Sequence, residues 1–284
     1  RAGGVVYFWN HPNSGTPELW STDATAAGTR RVPHPELYPQ SGVGIGIDSG
    51  TVYFAAQDQN GVEVWSSDGS AAGTRRLTSF ADPFARIWHM AASPTRAYFY
   101  VEDLSFGQEI WSTDGTPEGS RAVTSFGYFE PFGRSDSNSH LLVAGNRAYF
   151  LATTGLEPAQ LWVTDEAGST AAPLARICAE SNCISEQQLH AIGSQVFFVG
   201  YDSDNGSELW TTDGEPAGTR RLHDGCPGWC EGGGTVLANA GGKLVFKALR
   251  EEFGDSGIFV VEAPWESAVS LYDELRDAPT TEPY

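Results

Sequence analysis

The densest set of potential ligand atoms in the chain is Asp202-Ser-Asp204-Asn205-Gly206-Ser-Glu208, three carboxylates around one glycine. Calcium is bound by six to eight oxygens, and this fragment matches the opening of an EF-hand loop without completing it. Calcium is therefore the one cofactor the residues suggest, with Asp202, Asp204 and Glu208 as ligands. The competing reading is a plain hairpin turned on Gly206. Imidazoles supply the next candidates. His89 and His140 each stand nine residues before a Tyr-Phe pair, and His190 falls two positions further along the equivalent segment. No carboxylate is arranged beside them, so they read more readily as polar strand residues than as a metal site.

For catalysis the chain offers no Gly-x-Ser-x-Gly, no His-Glu-x-x-His and no phosphate loop. Its 36 Asp and Glu residues leave room for a carboxylate pair of the kind that cleaves glycosidic bonds. The lack of any linear motif weighs toward a protein that binds rather than one that catalyses.

Aromatic residues gather in the segments between the repeated phrases described below. Tyr38, Trp88, Tyr128, Phe129 and Trp229 are the candidate ligand-binding residues, with Phe80, Phe84, Phe126 and Phe132 beside them. Rings presented to solvent supply contact area at low entropic cost, suited to a sugar face or a protein partner. The alternative is that they only pack loops onto the sheets beneath.

The four cysteines form two close pairs, Cys178 with Cys183 and Cys226 with Cys230. Pairing within each is the simplest connectivity, and each short loop so closed would add about 2 kcal/mol. That chemistry belongs to an oxidising compartment. A zinc site from all four thiolates is the alternative, although neither spacing is the Cys-x-x-Cys of structural zinc.

A net charge of −19, from 36 acidic against 17 basic residues, argues against nucleic acid, which needs a basic face to displace counterions. It also disfavours anionic membranes. No apolar run approaches the roughly 18 residues of a membrane helix. The chain begins at Arg1, which leads us to expect a processed or trimmed N-terminus.

A repeat must position all of these residues. Glu18-Leu19-Trp20-Ser-Thr-Asp23 recurs at Glu63, Glu109, Gln160 and Glu208, with the tryptophans 45 to 51 residues apart, and a worn copy surrounds Phe259. Each copy follows a β-rich run such as Val52-Tyr53-Phe54 and precedes a turn such as Asp114-Gly115-Thr116-Pro117-Glu118-Gly119. A last short strand near Arg31, Arg76, Ala122, Ala172, Arg221 or Val269 ends each unit. Four short strands per repeat of this length is the pattern of a propeller blade. The expected fold is all-β: a six-bladed β-propeller of four-stranded antiparallel blades, one domain over 1–284, with repeats at about 1–42, 43–87, 88–138, 139–187, 188–234 and 235–284. Repeat one opens at the very end of its first strand, so either the C-terminal tail after Leu271 closes the ring, which is the preferred expectation, or the chain is a piece of a longer one. The recurring Asp-Gly turn reads as turn chemistry and not as a repeated ligand site. Arg30, Arg75, Arg121 and Arg220 are placed to pair with its aspartates.

The phrase resembles the ELWxxDGTxxGT repeat of secreted bacterial proteins over nearly the whole chain. Ala-Ala-Gly-Thr at 26–29 and 71–74 and Pro-Ala-Gly-Thr at 216–219 complete the pattern. The turn also resembles the Asp-box hairpin of sialidase propellers, without its full signature. The first resemblance implies an exported, propeller-like repeat protein, secreted, at the cell surface or periplasmic. It carries scaffold residues and no catalytic ones. The expected function is a non-catalytic extracellular module binding a glycan or a protein through its aromatic loops, or a structural subunit of a cell-surface assembly. The alternative is a polysaccharide-active propeller hydrolase or lyase that uses carboxylates on the loop-rich face.

Overall fold

Runs such as Val-Tyr-Phe-Ala-Ala and Glu-Val-Trp-Ser-Ser are rich in the branched and aromatic residues that suit strands, and a tight turn joins them. In the computed structural model they pair as neighbours in every repeat. The structure describes residues 4–12, 15–39, 46–47, 50–104, 107–126, 141–152, 160–176, 189–202, 204, 206–223, 235–249, 256–265 and 269–270.

Six antiparallel sheets follow one another among these residues, each a meander. The first holds Val6–Asn10, Glu18–Thr22 and Arg30–Arg31. The second holds Val52–Asp58, Gly61–Ser67 and Arg75–Arg76, with Tyr38–Pro39 and Gly46–Ile47 both pairing with Val52–Asp58. The third is Arg86–Ala92, Ala97–Asp103, Gly107–Thr113 and Arg121–Ala122; the fourth is Leu142–Ala144, Arg147–Ala152, Gln160–Thr164 and Ala171–Arg176. His190–Ile192, Gln195–Asp202, Gly206–Thr212 and Arg220–His223 form the fifth. Thr235–Ala240, Lys243–Leu249, Ser256–Val261 and Val269–Ser270 form the sixth. The one helical element among the described residues is a 3-10 turn at Pro216–Gly218. The fold is thus all-β with several four-stranded sheets, and the outer strands fall where the sequence places them. The tail after Leu271 lies outside the described residues, and with it the expected closure.

The chain divides into two compact units, Arg1–Gly155 with Val163–Ala172 and Leu156–Trp162 with Pro173–Tyr284, the boundary running through the fourth sheet. In the first unit the Phe54–Trp65 face of the second sheet packs on Leu19, Val32 and Leu37, with Trp9 edge-on to Phe54 at 5.6 Å. The opposite face, Tyr53, Ala55 and Val64, packs on Ile87, Phe99 and Val101 of the third sheet. Both faces of such a sheet are covered, which is why its second strand reads as an unbroken apolar run rather than an alternating one. In the second unit Phe197, Leu209 and Leu222 pack in the same way on Phe246, Phe259 and Val261. Across each sheet a ring opposes the repeated Trp: Phe8 faces Trp20, Phe54 Trp65, Phe99 Trp111 and Phe198 Trp210.

The repeated turn is held by its own side chains. Asp68 Oδ1 accepts the Ser70 N–H and hydroxyl at 2.9 and 2.7 Å, and the Ser70 Oγ in turn accepts the Gly73 N–H at 3.0 Å. Thr74 donates to the Ser70 carbonyl and meets Ser67, whose hydroxyl accepts the Gly69 N–H. The same contacts recur around Asp23 and Asp114, and in large part around Asp213. Every hydroxyl in Ser/Thr-Asp-Gly-Thr-x-x-Gly-Thr is therefore used within the turn, which bears out its reading as scaffold. The second residue of the turn has positive φ, 88° at Gly69 and 87° at Gly115, yet the first repeat places Ala24 there at φ 72°. A Cβ in that region costs roughly 1 kcal/mol. Ala24→Gly is accordingly expected to raise the urea midpoint, by about that free energy; an unchanged or lowered midpoint would contradict this geometry.

The arginines differ from expectation. Arg75 lowers the Asp68 pKa after the Ser70 contacts, but Arg220 donates to the Trp265 carbonyl of the next sheet. The direct ion pairs fall to the neighbouring arginines, Arg31 with Glu18 and Arg76 with Asp58, each at 3.4 Å. The reason is alternation. In the first two repeats Arg31 and Arg76 stand directly opposite the Trp of the third strand, within reach of acids at the loop end of the same sheet.

Candidate functional site

In the second repeat the glutamate that opens the repeated phrase organises the loop that leaves the outer strand. Glu63 is buried and accepts the Thr78 hydroxyl at 2.6 Å and the Phe80 N–H at 3.1 Å. Thr78 Oγ1 also accepts the Val64 N–H. Phe80 is thereby turned inward, edge-on to Trp111 at 5.1 Å. Beyond it the loop is clamped again. Gly61 lets the backbone of Pro83 approach so closely that a Cβ there would stand 2.6 Å from the Pro83 Cα.

Asp82 fixes the tip. It is buried, and its two oxygens accept two backbone donors, Oδ1 the Phe84 N–H at 2.9 Å and Oδ2 the Leu104 N–H at 3.1 Å. Phe84 belongs to the loop between the second and third sheets, and Leu104 to the hairpin of the third. One carboxylate therefore ties together the backbones of two apolar residues from different elements. Phe84 is 78% exposed and Leu104 is 74% exposed. Large apolar side chains left in water on a backbone this firmly held are the mark of a contact site. Sequence reasoning singled out neither Asp82 nor Leu104. The legible signal was Asp82-Pro83, a turn initiator, and an apolar Leu104 inside an otherwise polar hairpin.

The expected binding residues fare differently. Tyr38 is exposed and donates its hydroxyl to Glu36 at 2.9 Å. Trp88 lies within strand Arg86–Ala92 and not in a loop; it is half-buried and donates its indole N–H to Glu102 at 3.3 Å. Tyr128, Phe129 and Trp229 lie outside the described residues, as do Cys178, Cys183, Cys226 and Cys230. Of the calcium candidates, Asp204 is exposed and Glu208 is buried, while the Asp202 side chain lies outside the described residues. Its backbone pairs with Gly206 to make a tight hairpin. Among the described residues no group of three His, Cys, Asp or Glu side chains is placed to hold a metal ion. His89 is the extra residue of a bulge against Phe99 and Tyr100, at φ 31° and edge-on to Tyr100. His190 stands opposite Phe197, and His140 lies outside the described residues.

Burial pushes the Glu63 carboxyl above the usual range, against the pull of the Thr78 hydroxyl and Phe80 N–H. A folded value above the unfolded one favours folding fully below about pH 4.3, and this contribution fades as pH rises through the folded value. Asp68 has the opposite sign. The Ser70 hydroxyl and N–H hold it low, so its contribution is present above about pH 3.9 and is lost on acidification. Glu63→Gln is therefore expected to remove the stability loss above about pH 4.3 while leaving the acid limb intact. Urea midpoints across pH would show it, and an unchanged profile would contradict it.

No protein-family model matches the chain, and no curated protein matches it. Among solved structures, TolB from Acinetobacter baumannii aligns over 94% of this chain and 62% of its own, at 13% identity and a TM-score of 0.40. A puromycin hydrolase variant aligns over 95% and 52%, at 12% identity and 0.37. A prolyl endopeptidase structure aligns over 95% and 41%, at 11% identity and 0.48. The chain thus spans between 41% and 62% of those proteins' length. Likeness at this level assigns neither a family nor an activity. Among the described residues no helix is long and apolar enough to cross a membrane.

Proposed function

We propose that this chain is a non-catalytic, exported binding module whose six sheets are the blades of a propeller-type repeat, and that it grips a protein partner through Phe84 and Leu104. The observation that carries this reading is the Asp82 carboxylate, which holds the backbones of both exposed residues. A site built in advance spends little ordering free energy on binding. Phe and Leu offer no hydroxyl or indole N–H for sugar hydroxyls, which favours a protein over a glycan. Export to the cell surface, periplasm or medium is supported by the repeat's resemblance to secreted proteins.

The test is a photocrosslinking benzoyl-phenylalanine placed at position 84 and expressed in cells of the source organism. A discrete protein adduct that is lost in the Leu104→Ser background is expected. No adduct, or one indifferent to Leu104, would overturn the reading. Binding on a glycan array that disappears with Phe84→Ala would reassign the site to carbohydrate.

A second reading, a polysaccharide-cleaving site, has one observation in its favour. Glu109 is buried in the third sheet, and burial, with the charge of Asp103 added, pushes its carboxyl up against the pull of the Trp111 indole. Glu109 is also the repeat's structural glutamate, equivalent to Glu63, and this favours a scaffold role. Release of reducing ends from acidic or neutral polysaccharides, abolished by Glu109→Gln, would reverse that preference.

A further inference from the structure

Exposure alternates along the two strands that end at Phe84 and Leu104. Ala85, Ile87, Val101 and Asp103 are buried. Between them Phe84, Arg86 and Leu104 are exposed, and Trp88 and Glu102 are half-buried. Successive residues of a strand point to opposite faces, so the second group shares one face of the third sheet. The register ties its members together, with Arg86 opposite Glu102 and Trp88 opposite Tyr100. The exposed face therefore runs from two apolar residues onto a guanidinium.

The fold does not require a cation at this position. Phe54 and Phe99, each opposite the repeated Trp, mark equivalent residues of the second and third sheets. In that register the place of Arg86 is taken in the second sheet by Tyr38, opposite Gln57. The charge of Arg86 is not used within the chain either. Arg31, Arg76 and Arg147 have carboxylates at 3.4, 3.4 and 3.8 Å. Among the described residues the Arg86 guanidinium has neither an ion pair nor a hydrogen bond.

The acidic groups at this end of the sheet are turned to the chain's own donors. Glu102 Oε2 accepts the Trp88 indole N–H at 3.3 Å, and both oxygens of Asp82 accept backbone N–H groups. Spare hydrogen-bonding capacity on this face thus belongs to Arg86, whose planar fork of donors matches the two oxygens of a carboxylate. In a chain of net charge −19, most of the surface repels an anionic segment. A cation presented beside apolar residues makes one place that accepts it, and this is how a site selects.

We propose that this face takes a segment of a partner protein in which a bulky apolar residue neighbours an aspartate or glutamate. Phe84 and Leu104 receive the apolar residue, and Arg86 pairs with the carboxylate through two parallel N–H···O bonds. Arg86 sets the specificity, while Phe84 and Leu104 supply the contact area. This rests on the reading of Phe84 and Leu104 as a protein-binding site and adds which kind of segment they bind.

Panning a phage-displayed random peptide library against the immobilised wild-type chain tests it. Peptides that place Phe, Trp, Leu or Ile next to Asp or Glu should be enriched. A synthetic copy of the leading peptide, followed by fluorescence anisotropy, should bind at least about tenfold more weakly to Arg86→Ala. Arg86→Lys keeps the charge without the fork and should fall between alanine and wild type. The decisive arm is Arg86→Glu, on which panning should replace the acidic peptides by ones carrying Lys or Arg. Phe84→Ser should abolish binding of both sets. Peptides that need Phe84 but show no excess of acidic residues, or are indifferent to Arg86, overturn this inference and leave the binding site standing. A selection in which nothing depends on Phe84 overturns both.

Discussion

Gly73→Ala is expected to destabilise the chain by about 2–4 kcal/mol, the cost of steric overlap combined with the loss of the turn's charge-assisted hydrogen bonds. An alanine Cβ at that position would stand 2.0 Å from Asp68 Oδ1. The carboxylate has no room to yield without giving up the Ser70 N–H and hydroxyl, and Ser70 would then no longer hold the turn. The same 2.0 Å approach recurs at Gly28, Gly119 and Gly218, so the effect belongs to the motif and not to one site. Urea unfolding of Gly73→Ala measures it, and a cost below about 1 kcal/mol would contradict the overlap. Coupling provides a stricter check. In the Asp68→Ala background the obstruction is gone, so Gly73→Ala should then cost little, and additive costs would mean that the two residues do not compete for space.

Asp82→Ala is expected to release the paired apolar residues while leaving most of the fold intact. Two backbone N–H groups lose a charged acceptor, a local cost of about 2–3 kcal/mol. Opening of the loop becomes more frequent by the corresponding factor, so amide exchange at Phe84 and Leu104 should accelerate about a hundredfold. Amides of the strands beneath, such as Val64 and Phe99, should keep their protection. Partner capture through Phe84 should weaken at least about tenfold, because the ordering of the loop must then be supplied on binding. Asp82→Asn keeps one acceptor oxygen and should fall between alanine and wild type. Equal exchange at both sites in Asp82→Ala and wild type would remove the basis of the proposed site.

The recurring phrase made the sheets legible from the chain alone. Glu-Leu-Trp next to a Tyr-Phe run, with an Asp-Gly turn after it, specifies local pairings that need no knowledge of distant contacts. The six outer strands accordingly lie where their residues suggested. The Asp68 turn was equally legible, because all of its hydrogen bonds run between residues at most seven apart. The sites were not legible for the complementary reason. Asp82 gains its role from the Leu104 N–H, 22 residues away, and Phe80 from Glu63, 17 residues away. No spacing rule marks such partners. Trp88 shows the limit from the other side: its indole suggested a loop platform, whereas pairing with Tyr100 makes it a strand residue bonded to Glu102.

The sequence by itself therefore determined the all-β repeat, its strand order and the chemistry of its turns, since these depend on residue type and local spacing. Only the tertiary structure decided which repeated positions are covered and which are left in water. Phe8 and Phe54 are the same residue in the same register, and so are Leu19 and Ile258 within the aliphatic class. What separates them is their burial in the folded chain, a property of packing that no residue carries in its own identity.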